Sequence, residues 1–156
     1  MNIYIFRKDN KQFILEAAEL LIENFPQAYK NCADEEIKNC LSRDRIVIMA
    51  ENCGHLVGFV GAIPQYGNTG WELHPLVVKK SCQFKGIGTK LIKALEKEVL
   101  LHGGITIYLG TDDEFNRTSL SDTDLYTDTY NKIENIKNKN KHPYEFYQKM
   151  GYKIVG

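Results

Sequence analysis

The sequence predicts a mixed α/β domain built around one sheet, and three features of its patterning support this. Residues 12–25 and 86–102 repeat apolar side chains every three or four positions, which is the spacing of one buried helix face. Short runs rich in β-branched and aromatic residues lie around these two segments. The resulting order, β, α, α, β, β, β, α, β, α, α, β, is that of helices packed on a single sheet.

The first half of the chain contributes the first six elements. Pro26 ends the first helix, and the turn residues 52–55 join two strands into a hairpin. A loop at residues 64–70 then leads to the next strand. The predicted elements are a strand at 3–6, helices at 12–25 and 34–41, and strands at 45–51, 56–63 and 71–78.

The second half begins with the helix at 86–102, which Gly103 ends. Residues 105–109 are apolar at nearly every position, which predicts a buried central strand. Ser121 followed by Asp124 has the spacing of a capping box and predicts a helix to about residue 138. A short helix at 143–150 and a last strand at 152–155 complete the prediction.

Composition excludes several classes of protein. Hydrophobic residues make up 43% of the 156 residues, and no apolar run approaches the roughly 18 residues that a membrane span needs. The N-terminus lacks the basic and apolar segments of a signal peptide, so we expect a cytoplasmic protein with a single domain over 1–156. Twenty basic and twenty acidic residues cancel, which gives no indication of nucleic-acid binding.

The four cysteines show no CxxC spacing and no clustering with histidine, so the sequence predicts free thiols and no metal site.

Charge is distributed unevenly towards the end of the chain. Six acidic residues and one basic residue, Arg117, lie between Asp112 and Asp128. This segment is either a solvated polar excursion or an acidic rim for a cationic substrate.

The segment with the clearest chemistry is Gln83-Phe84-Lys85-Gly86-Ile87-Gly88, between a predicted strand and a predicted helix. Glycines let a bulky group approach the backbone, and the first amides of a helix attract anions. Lys85 and the Thr89 hydroxyl would add further donors to a diphosphate site. Glycines at a strand-to-helix turn are also common without any ligand, and the P-loop ending is absent.

This segment resembles the acetyl-CoA loop of the GNAT superfamily, Q/R-x-x-G-x-G/A. Four further blocks, at 61–67, 70–78, 103–113 and 142–147, resemble enterococcal-type aminoglycoside 6'-N-acetyltransferases. The resemblance implies a GNAT fold, with a mixed, mostly antiparallel sheet flanked by helices. It also implies acetyl-CoA as cosubstrate, a small cationic amine as acceptor, and a homodimer. Members of this family continue past the position of Gly156 with a further strand, so we expect that strand to be missing here.

The resemblance also assigns roles to individual residues. A backbone amide near Leu76 would polarise the thioester carbonyl, and Glu72 would assist the attacking amine. Tyr147 would protonate the leaving thiolate, although it could instead belong to an aromatic core cluster with its neighbours. The expected acetyl-CoA contacts are Leu76, Val77, Val78, Gln83, Phe84, Lys85, Gly86, Ile87, Gly88, Thr89 and Tyr147.

The expected acceptor contacts are Trp71, Glu72, His74, Asp112 and Asp113. Glu72 and His74 are two residues apart on a strand and therefore share a face. Each also has a plain structural interpretation: Trp71 in the core, Glu72 as a polar residue of a half-exposed strand, His74 as a supporting group, and the Asp112–Asp113 pair in a turn.

The implied reaction is direct attack of an amine on acetyl-CoA in a ternary complex, since no cysteine falls at a catalytic position of the motif. The leading acceptor is the 6'-amine of an aminoglycoside. Two alternatives stay open from the residues alone. One is acetylation of a polyamine or of a protein amine, and the other is a non-catalytic module that binds acyl-CoA.

Overall fold

The computed structural model describes residues 1–156, which divide into two compact units, 1–109 and 110–156. The first unit contains a five-stranded sheet and four helices, which confirms the predicted mixed α/β class. Its strands are β1 (Asn2–Ile5), β2 (Ile46–Asn52), β3 (His55–Gln65), β4 (Gly70–Val78) and β5 (Thr106–Tyr108). Its helices are α1 (Lys11–Asn24), α2 (Pro26–Tyr29), α3 (Ala33–Cys40) and α4 (Ile87–Leu101).

The five strands lie side by side in chain order. β1 to β4 run antiparallel to their neighbours, as short connections allow. β5 returns parallel to β4 after the α4 crossover. The sheet is therefore mostly antiparallel, with one parallel pair at its end.

The helices of this unit lie on both faces of the sheet. Val47 and Met49 of β2 belong to the apolar cluster that α1 and α3 share, whereas Ile48 between them is buried outside that cluster. Strand side chains alternate between faces, so Ile48 points to the opposite side. On that side, a Cβ atom at Gly58 would lie 3.3 Å from Leu91 of α4. None of the helices combines the length and the hydropathy that a membrane span requires.

A bulge interrupts β4 where it passes β3. Val60 pairs with Leu76, but Ala62 pairs with Leu73, so two residues of β4 face the single residue Gly61. A Cβ atom at Gly61 would lie 2.6 Å from the backbone oxygen of His74. Real Cβ atoms do not approach an oxygen this closely, so the bulge requires glycine at this position.

The second unit contains two short helices, α5 (Thr129–Glu134) and α6 (Tyr144–Lys149). The predicted helix from residue 121 to 138 is wrong in extent, because only six of its residues are helical. Ser121 Oγ instead donates to the Asp113 carboxylate, and Asp124 accepts from the Tyr126 amide at 2.9 Å. Such local bonds compete with a helix for the same backbone groups.

Two predicted strands also require correction. Residues 105–109 were expected to form a central strand, but β5 pairs only with β4 and is the last strand of the sheet. The side chain of Ile105 is 81% exposed. Residues 152–155 form no strand, and no strand pairing includes them. Apolar sequence alone does not reveal whether a partner strand is present on each side.

We expect Gly61→Ala to lower the free energy of unfolding by about 1–3 kcal/mol, the usual penalty for overpacking a tight contact. Urea denaturation measures this change. Gly110→Ala is the matched control, because a Cβ atom there would have no neighbour within 4 Å. Equal stability of the two variants would contradict the proposed role of Gly61.

Candidate functional site

The outer edge of β4 is free of a neighbouring strand along most of its length. β5 pairs only with Gly70, Trp71 and Glu72, the first three residues of β4. Near the other end of this strand, the Lys79 amide donates to the Val57 carbonyl on β3 at 2.9 Å. N–H directions alternate along an antiparallel strand, so the amide of Leu76 points away from β3. A backbone donor is thereby available along this edge.

A short loop connects this edge to the start of α4. It begins with a 3-10 turn, Lys80–Cys82, and contains two left-handed residues, Phe84 with φ 60° and Gly86 with φ 78°. The first helical hydrogen bond runs from the Lys90 amide to the Gly86 carbonyl, and no side chain caps the helix. The amides of residues 87–89 therefore point out of the helix end, where partial positive charge favours an anion.

Two residues at the end of α1 hold this loop in place. Gln83 Nε2 donates to Asn24 Oδ1 and to the Val78 carbonyl, both at 3.1 Å. Glu23 Oε2 accepts from the Lys80 amide at 3.1 Å. Neither Glu23 nor Asn24 was predicted from the sequence, because polar residues at a helix end carry no distinctive pattern.

The side chains in and around this loop differ in how far they are exposed to solvent. Lys85 Nζ donates to the Ser81 carbonyl at 2.8 Å, so its ammonium group is held over the loop. Phe84 is 94% exposed. Val77 and Ile87 are buried in the core, so their side chains are not available to a ligand.

At the other end of β4, Glu72 is half-buried and accepts from Gln65 Nε2 at 3.3 Å. Tyr108 of β5 is its partner in the parallel register. Loss of water, together with the charges of Glu72 and Tyr66, raises the pKa of Tyr108. The only two ion pairs in the structure join glutamates to histidines, and neither includes Glu72. Its carboxylate has no cationic partner and can accept one.

His74 lies on the same face as Glu72 and is contacted by α2 and α3. Its Nε2 atom is 3.2 Å from the Tyr29 hydroxyl and 3.8 Å from Glu36 Oε1. Trp71 lies on the opposite face, because side chains alternate along a strand. It is buried, and its Nε1 donates to the Asn68 carbonyl at 2.8 Å. The structure therefore does not bring Trp71 together with Glu72 and His74.

In the second unit, Tyr147 on α6 is largely buried. Its ring centroid lies 5.2 Å from that of Phe146 and 5.8 Å from that of Tyr152. Burial raises the pKa of Tyr147 to about 12. The phenol is consequently protonated throughout the neutral range and can donate a hydrogen bond.

The two predicted acidic residues of this unit differ sharply. Asp112 is exposed, and its backbone oxygen is 3.1 Å from His142 Nε2. The Asp113 carboxylate accepts from Ser121, from both donors of Thr118, and from the Arg117 amide at 2.6 Å. Desolvation raises the pKa of Asp113, but these hydrogen bonds outweigh it and hold the pKa well below its usual range. Asp113 thus organises its own loop, and Asp112 is the carboxylate open to a cation.

No group of three or more metal-ligating side chains is positioned to hold a metal ion. The site consists of a backbone edge, a helix start with free amides and a carboxylate on one strand of the first unit. Such an arrangement can accommodate an anion at one end of β4 and a cation at the other. A sequence model of the acetyltransferase (GNAT) family matches residues 14–122, and the chain belongs to that family.

Several solved structures closely resemble the chain and agree with this family assignment. An aminoglycoside 6'-N-acetyltransferase complexed with coenzyme A is 51% identical over the whole of this chain and 87% of its own, with a TM-score of 0.98. The aminoglycoside 6'-N-acetyltransferase from Enterococcus faecium is also 51% identical over the same shares, with a TM-score of 0.96. An aminoglycoside 6'-acetyltransferase type Ii is 44% identical over the whole chain and 85% of its own, with a TM-score of 0.80. No curated protein sequence matches the chain.

We expect Asp113→Asn to speed hydrogen exchange at the Arg117 and Thr118 amides by on the order of tenfold, because the charged acceptor is lost. Since the pKa of Asp113 is depressed, its stabilising effect is present above about pH 4 and is lost as the pH falls further. Asp112→Asn is the control and should leave both amides unchanged. Identical exchange in the two variants would show that Asp113 does not hold the loop.

Proposed function

We propose that this chain transfers the acetyl group of acetyl-CoA to a primary amine of a cationic acceptor, the 6'-amine of an aminoglycoside. The observation that carries the proposal is the unpaired edge of β4 beside the uncapped start of α4. Three solved aminoglycoside acetyltransferases at 44–51% identity support the choice of acceptor. The family match at 14–122 crosses the boundary between the two units, which supports a single functional domain over 1–156.

The donor would bind along β4 and the start of α4. Backbone groups of Leu76 and Val78, which point away from β3, hydrogen-bond the pantetheine arm as a neighbouring strand would, and Val77 lies between them with its backbone groups directed to β3. The free amides at the helix start bind the pyrophosphate, and Lys85 supplies positive charge. The residues proposed to form this phosphate site are Gln83, Phe84, Lys85, Gly86, Ile87, Gly88 and Thr89.

In the proposed reaction the amine nitrogen forms a bond to the acetyl carbon and the bond from that carbon to sulfur breaks. The Leu76 amide donates to the carbonyl oxygen, on which negative charge develops. Glu72 attracts the ammonium group and accepts its proton, directly or through water, because only the neutral amine is nucleophilic. The products are an amide, coenzyme A and one released proton. No cysteine is acylated on the way.

Tyr147 is proposed to donate a hydrogen bond to the departing sulfur. A thiol has a pKa of about 8.5, whereas burial raises that of Tyr147 to about 12. The thiolate is therefore too weak a base to take the phenol proton completely. Tyr147 stabilises the leaving group by hydrogen bonding, and the final proton comes from solvent or from the amine.

Other assignments complete the proposal. His74 and Asp112 contact the acceptor, whereas Asp113 shapes the loop that carries Asp112, and Trp71 supports β4 from the opposite face. The homodimer that the family resemblance implies is part of the same proposal. Four free thiols support a reducing, cytoplasmic setting. Acetylation removes one positive charge from a polycationic antibiotic, which supports a role in resistance.

The decisive experiment follows acetyl-CoA consumption with kanamycin and with spermine, and identifies each product by mass spectrometry. The proposal expects one acetyl group on the 6'-amine of kanamycin and much slower turnover in Glu72→Gln. Acetylated spermine with unmodified kanamycin would overturn the acceptor while keeping the reaction. Binding of coenzyme A without either product would favour a non-catalytic module.

We expect Tyr147→Phe to lower kcat by about 10²–10³-fold with little change in the affinity for acetyl-CoA, because the lost hydrogen bond forms to the leaving group in the transition state. Steady-state kinetics and calorimetric binding of acetyl-CoA measure the two effects. A large loss of affinity would instead indicate a structural role for the ring. Phe146→Leu tests the aromatic packing separately.

A further inference from the structure

α2 and α3 bring two polar side chains to the face of β4 that carries Glu72. Tyr29 of α2 and Glu36 of α3 both lie against His74, at 3.2 Å and 3.8 Å from its Nε2 atom. Neither residue was predicted from the sequence, since nothing in the local pattern of these helices distinguishes them. The contact with His74 joins two elements that are distant in sequence.

The Glu36 carboxylate carries a charge that the protein does not neutralise strongly. No lysine or arginine pairs with it, and its only ion-pair partner is His74 at the limit of contact. Cys40 Sγ donates to Glu36 Oε1 at 3.5 Å, and burial raises the pKa of that thiol to about 12, so this partner stays neutral. The start of α3 adds only the partial charge of a helix N-terminus.

Glu36 is also within reach of a ligand. Its side chain is 22% exposed and that of His74 is 44% exposed. Glu72 lies two residues before His74 on the same face, which separates their Cα atoms by about 7 Å along the strand. A carboxylate at Glu72 and another beside His74 thus lie along one side of β4, and neither has a strong cationic partner within the chain.

We propose that Glu36 is a specificity-determining residue that binds a second ammonium group of the acceptor while the reacting amine lies at Glu72. The Tyr29 hydroxyl and His74 are the polar neighbours of that second group. The preferred substrates are then amines with at least two cationic groups. This inference rests on the proposed function, because it assigns the acceptor side of the same site.

The test compares Glu36→Gln with the wild type on two acceptors, kanamycin and 6-amino-6-deoxyglucose, which has a single amine. Loss of one charged contact should raise KM for kanamycin by on the order of tenfold. KM for the monoamine and for acetyl-CoA should change less than about twofold. Glu35→Gln, on the exposed side of the same helix, is the matched control and should behave as wild type.

Equal losses with both acceptors would overturn the proposal, because they would indicate displacement of His74 or of α3. An unchanged KM for kanamycin would overturn it as well. Glu36→Asp keeps the charge and should recover part of the kanamycin affinity, which a purely structural defect would not. Thermal melting of each variant confirms that the fold is retained.

Calorimetric binding of kanamycin in the presence of coenzyme A separates this inference from the proposed reaction. Weaker binding by Glu36→Gln would support the second ammonium site even if the wild type acetylated neither acceptor, in which case only the proposed reaction would fail. Equal binding by wild type and variant would overturn the role of Glu36 while leaving the reaction intact. Absence of kanamycin binding by the wild type would overturn both.

Discussion

The close approach of the His74 carbonyl to Gly61 is the constraint on which the first unit depends. A side chain at Gly61 would occupy the space of that oxygen, so only glycine lets β4 carry one more residue than β3 in this stretch. The bulge lies between Glu72 and Leu76, and His74 within it contacts Tyr29 of α2. A single missing side chain thereby permits the irregularity that separates the carboxylate from the backbone donor on β4.

Positive and negative charges lie at opposite ends of β4. At one end, the uncapped start of α4 and Lys85 present positive charge to an anion. At the other, Glu72 and Glu36 present carboxylates without a lysine or arginine partner. Opposite charges at the two ends of β4 suit a reaction between an anionic donor and a cationic acceptor, since each reactant is attracted to a different end.

The second unit is stabilised in another way. Side-chain oxygens of Asp113 and Asp124 accept hydrogen bonds from backbone amides, and threonine hydroxyls donate to nearby carbonyls. These short-range bonds replace the regular helix that the capping pattern predicted. The aromatic cluster around Tyr147 then provides the apolar surroundings that keep its phenol protonated.

The sequence by itself determined the mixed α/β class, the two amphipathic helices and the glycine loop before α4, because periodicity and glycine chemistry are local properties. Tertiary structure alone decided that residues 105–109 lie at the sheet edge and that Glu36 reaches His74. These outcomes depend on which segments meet in space, and contacts between residues far apart in the chain leave no periodic trace in the sequence.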